Sequence, residues 1–338
     1  MHKVTLIPGD GIGPEITEAA VRVIEATGVT IEWDRQLAGM AAVEKYGDPL
    51  PEPTVASFRT NKVALKAPLT TPVGGGYRSV NVALRQEFNL FANVRPALSF
   101  KGTQVPYTDV DLITVRENTE GLYAGIEHFI KAGGENIAAE SIAVVTREGC
   151  RNIIDYAFQY ARDNGRKKVT VVHKANILKC TSGLFLEIGR EVAEKYPDIE
   201  FEDRIVDACA MLMVMKPSQF DVMVTTNLFG DILSDLAAGL VGGLGLTAGA
   251  NIGKEAAMFE AVHGSAPDIA GKGIANPTAL IMAGKMMLDH LGERQAATKI
   301  DRAVRAVIEE GQHVTPDLKP GSNCTTSDMA SAIVGKIV

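Results

Sequence analysis

Leu6-Ile7-Pro8-Gly9-Asp10-Gly11-Ile12-Gly13-Pro14-Glu15 stands where the first apolar run, Val4–Ile7, turns into the first amphipathic one. Val4–Ile7 reads as a buried strand bounded by Pro8-Gly9. Pro14 suits the first position of a helix. Ile16, Ala20, Val23 and Ala26 recur at helical spacing, and Gly28 ends the run. A glycine loop between strand and helix invites a dinucleotide-binding reading, which needs glycine at the first, third and sixth positions. Here the sixth position is Pro14, and Asp10 and Glu15 would repel a pyrophosphate. The loop is therefore expected to be a tight turn that packs strand against helix, not a phosphate cradle.

The alternation continues outward from this loop. Val63–Ala67, Leu112–Val115, Val169–Val172 and Val222–Thr226 are strand candidates, each followed by helix-compatible sequence. That rhythm predicts α/β architecture with a largely parallel sheet. The segment Gly121 to Val144 breaks it with short β-prone pieces around Gly125 and Gly133-Gly134, and is expected to be an inserted β arm. The 338 residues suffice for two domains. No flexible linker is present, so two domains would share the chain by crossing back and forth. Leu236 to Gly253 carries no formal charge over a length that raises a transmembrane question. Its many glycines predict a tight buried turn region instead.

Lys and Arg number 34 against 41 Asp and Glu, a net charge of −7, so neither nucleic acid nor an anionic membrane is an expected partner. An anionic substrate would need positive charge concentrated locally. Cys150, Cys180, Cys209 and Cys324 lie far apart with no C-x-x-C pair, which argues against structural zinc and against a disulfide framework. The histidines show no metal-ligand spacing, so zinc is not supported. A strand rather than a signal peptide follows Met1. The expected compartment is the cytoplasm, or the mitochondrial matrix if a leader has been removed.

Four groups of residues carry chemistry. In Asn227-Leu-Phe-Gly230-Asp231-Ile-Leu-Ser234-Asp235, the two aspartates are four apart and share a helix face. Like charges there gain from a cation between them, and hard carboxylate oxygens suit Mg²⁺ or Mn²⁺. Asp231 also suits a helix N-terminus for its charge alone. Arg85 lies on the helix that Ser79 could cap, while Arg95 and Arg116 each close a β-like run. Together these three could bind a polycarboxylate through forked hydrogen bonds that lysine cannot imitate. Tyr123 and Lys174 could form an acid–base pair, a nearby ammonium lowering a phenol whose ordinary pKa is about 10. The loop Phe259–Gly271, followed by Asn276-Pro277, is rich in small residues that let a flat ligand approach the backbone. An acidic side chain there would accept from ribose hydroxyls and repel a 2′-phosphate.

These motifs resemble the β-decarboxylating dehydrogenase family, which includes isocitrate, isopropylmalate, homoisocitrate and tartrate dehydrogenases. IPGDGIGPE, LKAPLTTPVGGG, SVNVALR, RENTEGLYAGIEH, HKAN, NLFGDILSD and HGSAPDIAG occur in family order, and the likeness runs from Lys3 to about Ile333. It is strongest to the NAD-dependent isocitrate branch of catalytic-subunit type. The resemblance implies a two-domain α/β fold with a parallel or mixed sheet, not a Rossmann fold. A large, cofactor-side domain would comprise residues 1–90 and 242–338. A small domain, residues 91–241, would carry substrate, metal and the dimer interface, with a clasp arm at about 121–145.

The implied activity is oxidation and decarboxylation of isocitrate to 2-oxoglutarate with NAD and Mg²⁺ or Mn²⁺, in a homodimer or higher oligomer with shared active sites. Ser79, Asn81, Arg85, Arg95 and Arg116 would hold the carboxylates. Tyr123 would handle protons with Lys174, which would reach in from a second copy. Asp231 and Asp235 would bind the metal, joined by Asp207 of that copy. Thr71 would lie near the nicotinamide. Glu260, His263, Gly264, Ala266, Asp268, Ile269 and Asn276 would form the adenosine side. Ser79 and Asn81 offer hydrogen bonds to a carboxylate where isopropylmalate enzymes carry an acidic and an apolar residue and homoisocitrate enzymes a basic one. Asp268 and Ile269, with Pro316 and Pro320, replace the Lys, Tyr, Tyr and Arg of NADP-using relatives. The alternatives are a 3-isopropylmalate or homoisocitrate dehydrogenase, and a non-catalytic regulatory subunit of a hetero-oligomer.

Overall fold

The computed structural model describes residues 1–71 and 79–337. The end of the LKAPLTTPVGGG motif, from Pro72 onward, lies outside the described residues. The elements run β1 (His2–Ile7), α1 (Gly13–Ala26), β2 (Ile31–Arg35), α2 (Met40–Tyr46), α3 (Glu52–Asn61), β3 (Val63–Lys66), α4 (Val80–Glu87) and β4 (Ala92–Leu98). Next come β5 (Asp111–Glu117), β6 (Gly121–Ala132), β7 (Glu135–Val144), α5 (Arg147–Asp163), β8 (Lys168–His173), α6 (Thr181–Ala193), β9 (Glu200–Ile205) and α7 (Val206–Met215). The chain ends with β10 (Val222–Thr225), α8 (Asn227–Leu240), β11 (Ala248–Ile252), β12 (Ala257–Ala261), α9 (Thr278–His290), α10 (Arg294–Glu310) and α11 (Thr326–Val334).

Two compact units result. The first comprises Met1–Leu90, Pro96–Val110 and Ala238–Val338; the second comprises Phe91–Arg95 and Asp111–Ala237. In the first, strands are ordered β2-β1-β3-β12-β11-β4. β1 pairs in parallel with β2 and β3, and β3 with β12, but β11 and β12 are antiparallel. A short turn joins them, Gly253 N donating to Ala256 O at 2.9 Å, and so short a link permits only a hairpin. In the second unit the order is β4-β5-β10-β8-β9, with β5–β10, β10–β8 and β8–β9 parallel. The pairing is thus mixed, and the topology is not that of a Rossmann domain.

The opening loop packs as a turn, but against other loops as well as its own helix. Asp10 N donates to Pro68 O at 2.8 Å and Ile12 N to Ser265 O at 2.9 Å. A Cβ on Gly11, whose φ is +59°, would lie 2.0 Å from Ser265 O, so backbone fills the space a phosphate would need. The buried Asp10 carboxylate accepts from Met40 N at 2.9 Å and Thr70 N at 2.8 Å. It is an organiser of three loops. Behind it α1 buries Ile16, Ala20, Val23 and Ile24.

Two local expectations change. β4 does not close at Arg95 but runs to Leu98, because Pro96 lacks only a ladder donor and its fixed φ is compatible with extended chain. The β arm is not a set of short pieces: β6 and β7 are 12 and 10 residues long and pair antiparallel about a Gly133-Gly134 turn, both glycines at positive φ. The uncharged Leu236–Gly253 stretch divides between the end of α8, a glycine turn and β11. Among the described residues no helix is long and apolar enough to cross a membrane.

Replacing Asp10 by Ala removes two part-buried hydrogen bonds from backbone amides to a charged acceptor, each worth about 1.5–3 kcal/mol. Urea unfolding of Asp10→Ala should show a loss of about 3 kcal/mol, with Asp10→Asn intermediate because its amide oxygen serves one donor.

Candidate active site

The second unit gathers its charged residues around the start of α8. The β5–β10 register pairs Arg116 with Thr225, so Arg116 emerges beside the helix that begins at Asn227. Its side chain is 1% exposed. Nε and Nη2 both donate to Asn227 Oδ1, at 2.9 and 2.7 Å, and Nη1 donates to Asp231. Gly230 makes room: a Cβ there would sit 2.5 Å from Arg116 Cγ. Arg95 reaches the same helix from β4. Its Nε donates to Asn93 Oδ1 at 2.8 Å and its Nη1 to Ser234 Oγ at 2.7 Å and Asp235 Oδ1 at 3.2 Å. Arg95 Nη1 also lies 3.5 Å from Asp231 Oδ1. Positions 227, 231, 234 and 235 form one face of α8, as helical spacing requires.

Tyr123 completes this cluster. Its hydroxyl donates to Asp231 Oδ2, and the Arg116 guanidinium lies over its ring at 5.1 Å. Burial, and then the bond to Asp231, push its pKa up, so the phenol holds its proton at neutral pH. Burial, with the neighbouring Asp231 charge, also pushes the Asp235 carboxyl up against the pull of Arg95. Two half-exposed carboxylates on one face, one of them reluctant to ionise alone, fit a hard divalent ion. Such an ion often takes only one or two protein carboxylates and completes its shell with water and substrate oxygens. No group of three or more His, Cys, Asp or Glu converges among the described residues.

Lys174 and Asp207 lie elsewhere in the same unit. β8 and β9 are parallel, Lys174 follows one and Asp207 opens the helix after the other, and the two form an ion pair. That pairing holds the Asp207 carboxyl below its usual range. Within one chain, then, Lys174 bonds to Asp207 and Tyr123 to Asp231; the structure does not pair Tyr123 with Lys174.

The first unit holds a second cationic group. Ser79 caps α4, Oγ accepting from Val82 N at 3.5 Å. Asn81 and Arg85 follow one turn apart on one face. The buried Arg85 donates through Nη2 to Glu260 Oε1 at 3.1 Å. Lys66, across from Glu260 in the β3–β12 register, binds Oε2 at 2.7 Å, and Asn251 Nδ2 binds Oε1 at 2.7 Å. Burial pushes the Glu260 carboxyl up, but Lys66 and Arg85, with the hydrogen bonds from Lys66 and Asn251, outweigh it and hold it far below the usual range. Among the described residues, Arg85 Nε and Asn81 Oδ1 are buried and find no hydrogen-bond partner.

His263, Gly264, Ala266, Ile269 and Asn276 line one cavity of about 380 Å³ in this unit. His263 Nδ1 donates to Gly264 O at 3.0 Å, which leaves Nε2 as a bare, buried acceptor without a partner. Burial pushes its pKa down, so the ring is neutral. Asn276 is fixed at both ends, Oδ1 accepting from Thr278 N and Nδ2 donating to Asp317 Oδ2, each at 2.9 Å. Glu260, Asp268 and Thr71 are not in the cavity lining: the first is buried at Arg85 and the other two are exposed. Asp317, Ile274 and Gly245 of the lining, and Lys66, Asn227 and Ser234 in the charged clusters, were not singled out from sequence. Only Asn227 and Ser234 had a usable signal, their helical phase with Asp231.

A mixed-sheet α/β fold with a separate antiparallel arm, cationic clusters suited to carboxylates and a ligand-sized loop cavity is the architecture of a two-unit enzyme for small anionic substrates. The profile of the isocitrate/isopropylmalate dehydrogenase family matches residues 3–333, and the chain belongs to that family. It is a β-decarboxylating dehydrogenase, an oxidoreductase for isocitrate-like substrates. The structure is similar to the crystal structure of isocitrate dehydrogenase from Methylococcus capsulatus, with a TM-score of 0.98 and 74% identity over 100% of this chain and 99% of that one. In sequence it is 50% identical to the probable mitochondrial isocitrate dehydrogenase [NAD] subunit alpha of Drosophila melanogaster, over 99% of this chain and 87% of the relative. It is also 48% identical to the chloroplastic 3-isopropylmalate dehydrogenase of Solanum tuberosum, over 95% and 89%. A regulatory subunit of the NAD enzyme stands among the relatives too.

The Glu260 cluster generates a pH prediction. Its folded pKa lies below that of an unfolded glutamate, about 4.3. The stability it supplies is therefore fully present above about pH 4.3 and is lost as pH falls towards the folded value. Glu260→Gln leaves two buried cations without their counter-charge and should cost about 3–5 kcal/mol at pH 7. Denaturant melts from pH 7 to pH 3 should show the difference between wild type and variant shrinking only below about pH 4.3.

Proposed function

We propose that the chain is a catalytic NAD-dependent isocitrate dehydrogenase, converting isocitrate to 2-oxoglutarate and CO₂. One observation carries this choice within the family: Arg85 Nε and Asn81 Oδ1, one turn apart on α4, are buried polar atoms without partners among the described residues. A third carboxylate and a hydroxyl would satisfy such a surface. An alkyl group in that place would leave it unmatched, at a cost of about 1–3 kcal/mol per group.

In this reading Ser79, Asn81 and Arg85, and Arg95 and Arg116, hold the substrate carboxylates. Asp231 and Asp235, with Asp207 from a second copy, are the residues that would hold Mg²⁺ or Mn²⁺; when bound, the ion supplies polarisation of the oxygen that becomes the carbonyl. His263, Gly264, Ala266, Ile269 and Asn276, with Glu260 and Asp268 nearby in sequence and Thr71 from the chain after β3, are the residues proposed for NAD, which accepts the hydride. Asp268 and Asp317 add negative charge that disfavours a 2′-phosphate. Tyr123, still protonated beside Asp231, is the group to return a proton to the substrate carbon after CO₂ leaves, and Lys174 of a second copy is the group to replenish or remove protons.

A second copy is also favoured by exposed apolar side chains. On the β6–β7 arm Phe129 and Ile137 are 61% and 62% exposed, and α7 adds Met211 and Met215. Patches of this kind on a soluble chain mark association surfaces.

Initial rates of NADH formation with Mg²⁺ test the proposal, comparing isocitrate with isopropylmalate and NAD⁺ with NADP⁺. Turnover with isocitrate and NAD⁺, abolished by a chelator, is expected. Turnover with isopropylmalate would remove the reading of Ser79 and Asn81, and a preference for NADP⁺ that of Asp268. No turnover with any pair would favour the regulatory-subunit reading. In a separate test, Asn81→Leu should lower kcat/KM for isocitrate by about 10²-fold or more, since sites built on polar pairing discriminate strongly.

A further inference from the structure

His173 is buried at the end of β8, one residue before Lys174. Each ring nitrogen has a partner: Ala175 N lies 3.1 Å from Nδ1, and Asp203 Oδ1 lies 3.1 Å from Nε2. A backbone amide can only donate, so Nδ1 is the bare nitrogen. Nε2 then carries the proton and donates it to the carboxylate. Asp203 stands on β9, whose ladder sets Ile205 opposite His173, and Arg190 of α6 reaches its other oxygen at 3.7 Å. The tautomer is thus fixed from both sides.

The bond to Ala175 N orients the peptide between Lys174 and Ala175, and with it the backbone of Lys174. On the far side, Lys174 O accepts from Ile177 N at 3.0 Å and Leu178 N at 2.8 Å. Lys174 therefore sits on a clamped backbone while its side chain reaches outward to Asp207. Its neighbour in the HKAN motif has no task in the proposed chemistry, yet its ring accepts a hydrogen bond from the turn after Lys174.

We propose that His173 is a positioning residue that sets Lys174 for proton transfer through the bond from Ala175 N to Nδ1. This rests on the reading of Lys174 as a proton-handling group. His173→Leu keeps bulk and removes the acceptor. His173→Asn keeps an acceptor placed as in an Asx turn, two residues before the donor.

In His173→Leu, kcat for isocitrate should fall about 100-fold, the scale of an ångström-level misplacement, with KM changed by less than about threefold. His173→Asn should keep kcat within about fivefold of wild type. Added to Lys174→Met, His173→Leu should cause no further loss, because it acts through the lysine. Equal damage from Leu and Asn, a loss confined to KM, or a multiplicative loss in the double variant would overturn the proposal. Amide exchange at Ala175 gives a readout that needs no turnover: protection should vanish in His173→Leu and persist in His173→Asn. If wild type fails to oxidise isocitrate, the functional reading falls while exchange still decides this one, unchanged protection in His173→Leu refuting it. If His173→Leu does not fold, His173→Met, which also lacks a nitrogen or oxygen acceptor, takes its place.

Discussion

A site for polyanions must hold cations ready before any anion arrives, and buried cations without counter-charge are costly. Glu260 resolves this in the first unit. One carboxylate receives Lys66, Arg85 and Asn251, and the β3–β12 register that sets Lys66 opposite Glu260 makes the arrangement a property of the sheet. Arg85 is anchored to this carboxylate through Nη2, while its Nε is left open. That neutralised core ties α4, through Arg85, to β3 and β12, through Lys66 and Glu260.

The second unit solves the same problem with a helix. Asn227, Asp231, Ser234 and Asp235 face Arg95 and Arg116 from α8, and the absent side chain of Gly230 lets Arg116 lie against the helix. Here the counter-charges are half exposed, and charge balance is two against two. Such a cluster can exchange partners: a ligand carboxylate can take up guanidinium hydrogens while a cation takes up the aspartates. The fully buried Glu260 has no such freedom, which separates a fixed support from an exchangeable surface.

Much of this was legible in the chain, for physical reasons. β1, β3, β5, β8 and β10 are apolar runs between breakers, and each is buried along most of its length. β2 and β9 escaped because edge strands carry charges, as in Glu200-Phe-Glu-Asp-Arg-Ile, and β11 and β12 because they are short and rich in small residues. The antiparallel turn between those two follows from tertiary pairing, which no local period reports. The α8 aspartates were legible because helical spacing puts four residues of one face in phase. Lys66 was not, since a lysine ending a strand reads as solvated until the opposite strand supplies Glu260. Glu260 itself was grouped with His263 by adjacency. The strand directs it into the sheet beside Lys66, while the chain after β12 carries His263 to the loop cavity.

In the proposed reading the two clusters would also bear on substrate choice. Lys66 and Arg85 against Glu260 leave one positive charge in the buried group of the first unit, beside an unmatched Arg85 Nε. The second unit's two arginines and two aspartates leave none. A substituent that meets α4 as an anion cancels the residual charge and fills the vacant hydrogen bond. One that meets it as an alkyl group buries that charge further from water with nothing in return. Because the penalty is electrostatic and lies in a rigid group, it cannot be relieved by a side chain turning away. In the proposed reading, discrimination at α4 would be set by the strands beneath the helix as much as by Ser79 and Asn81 on it.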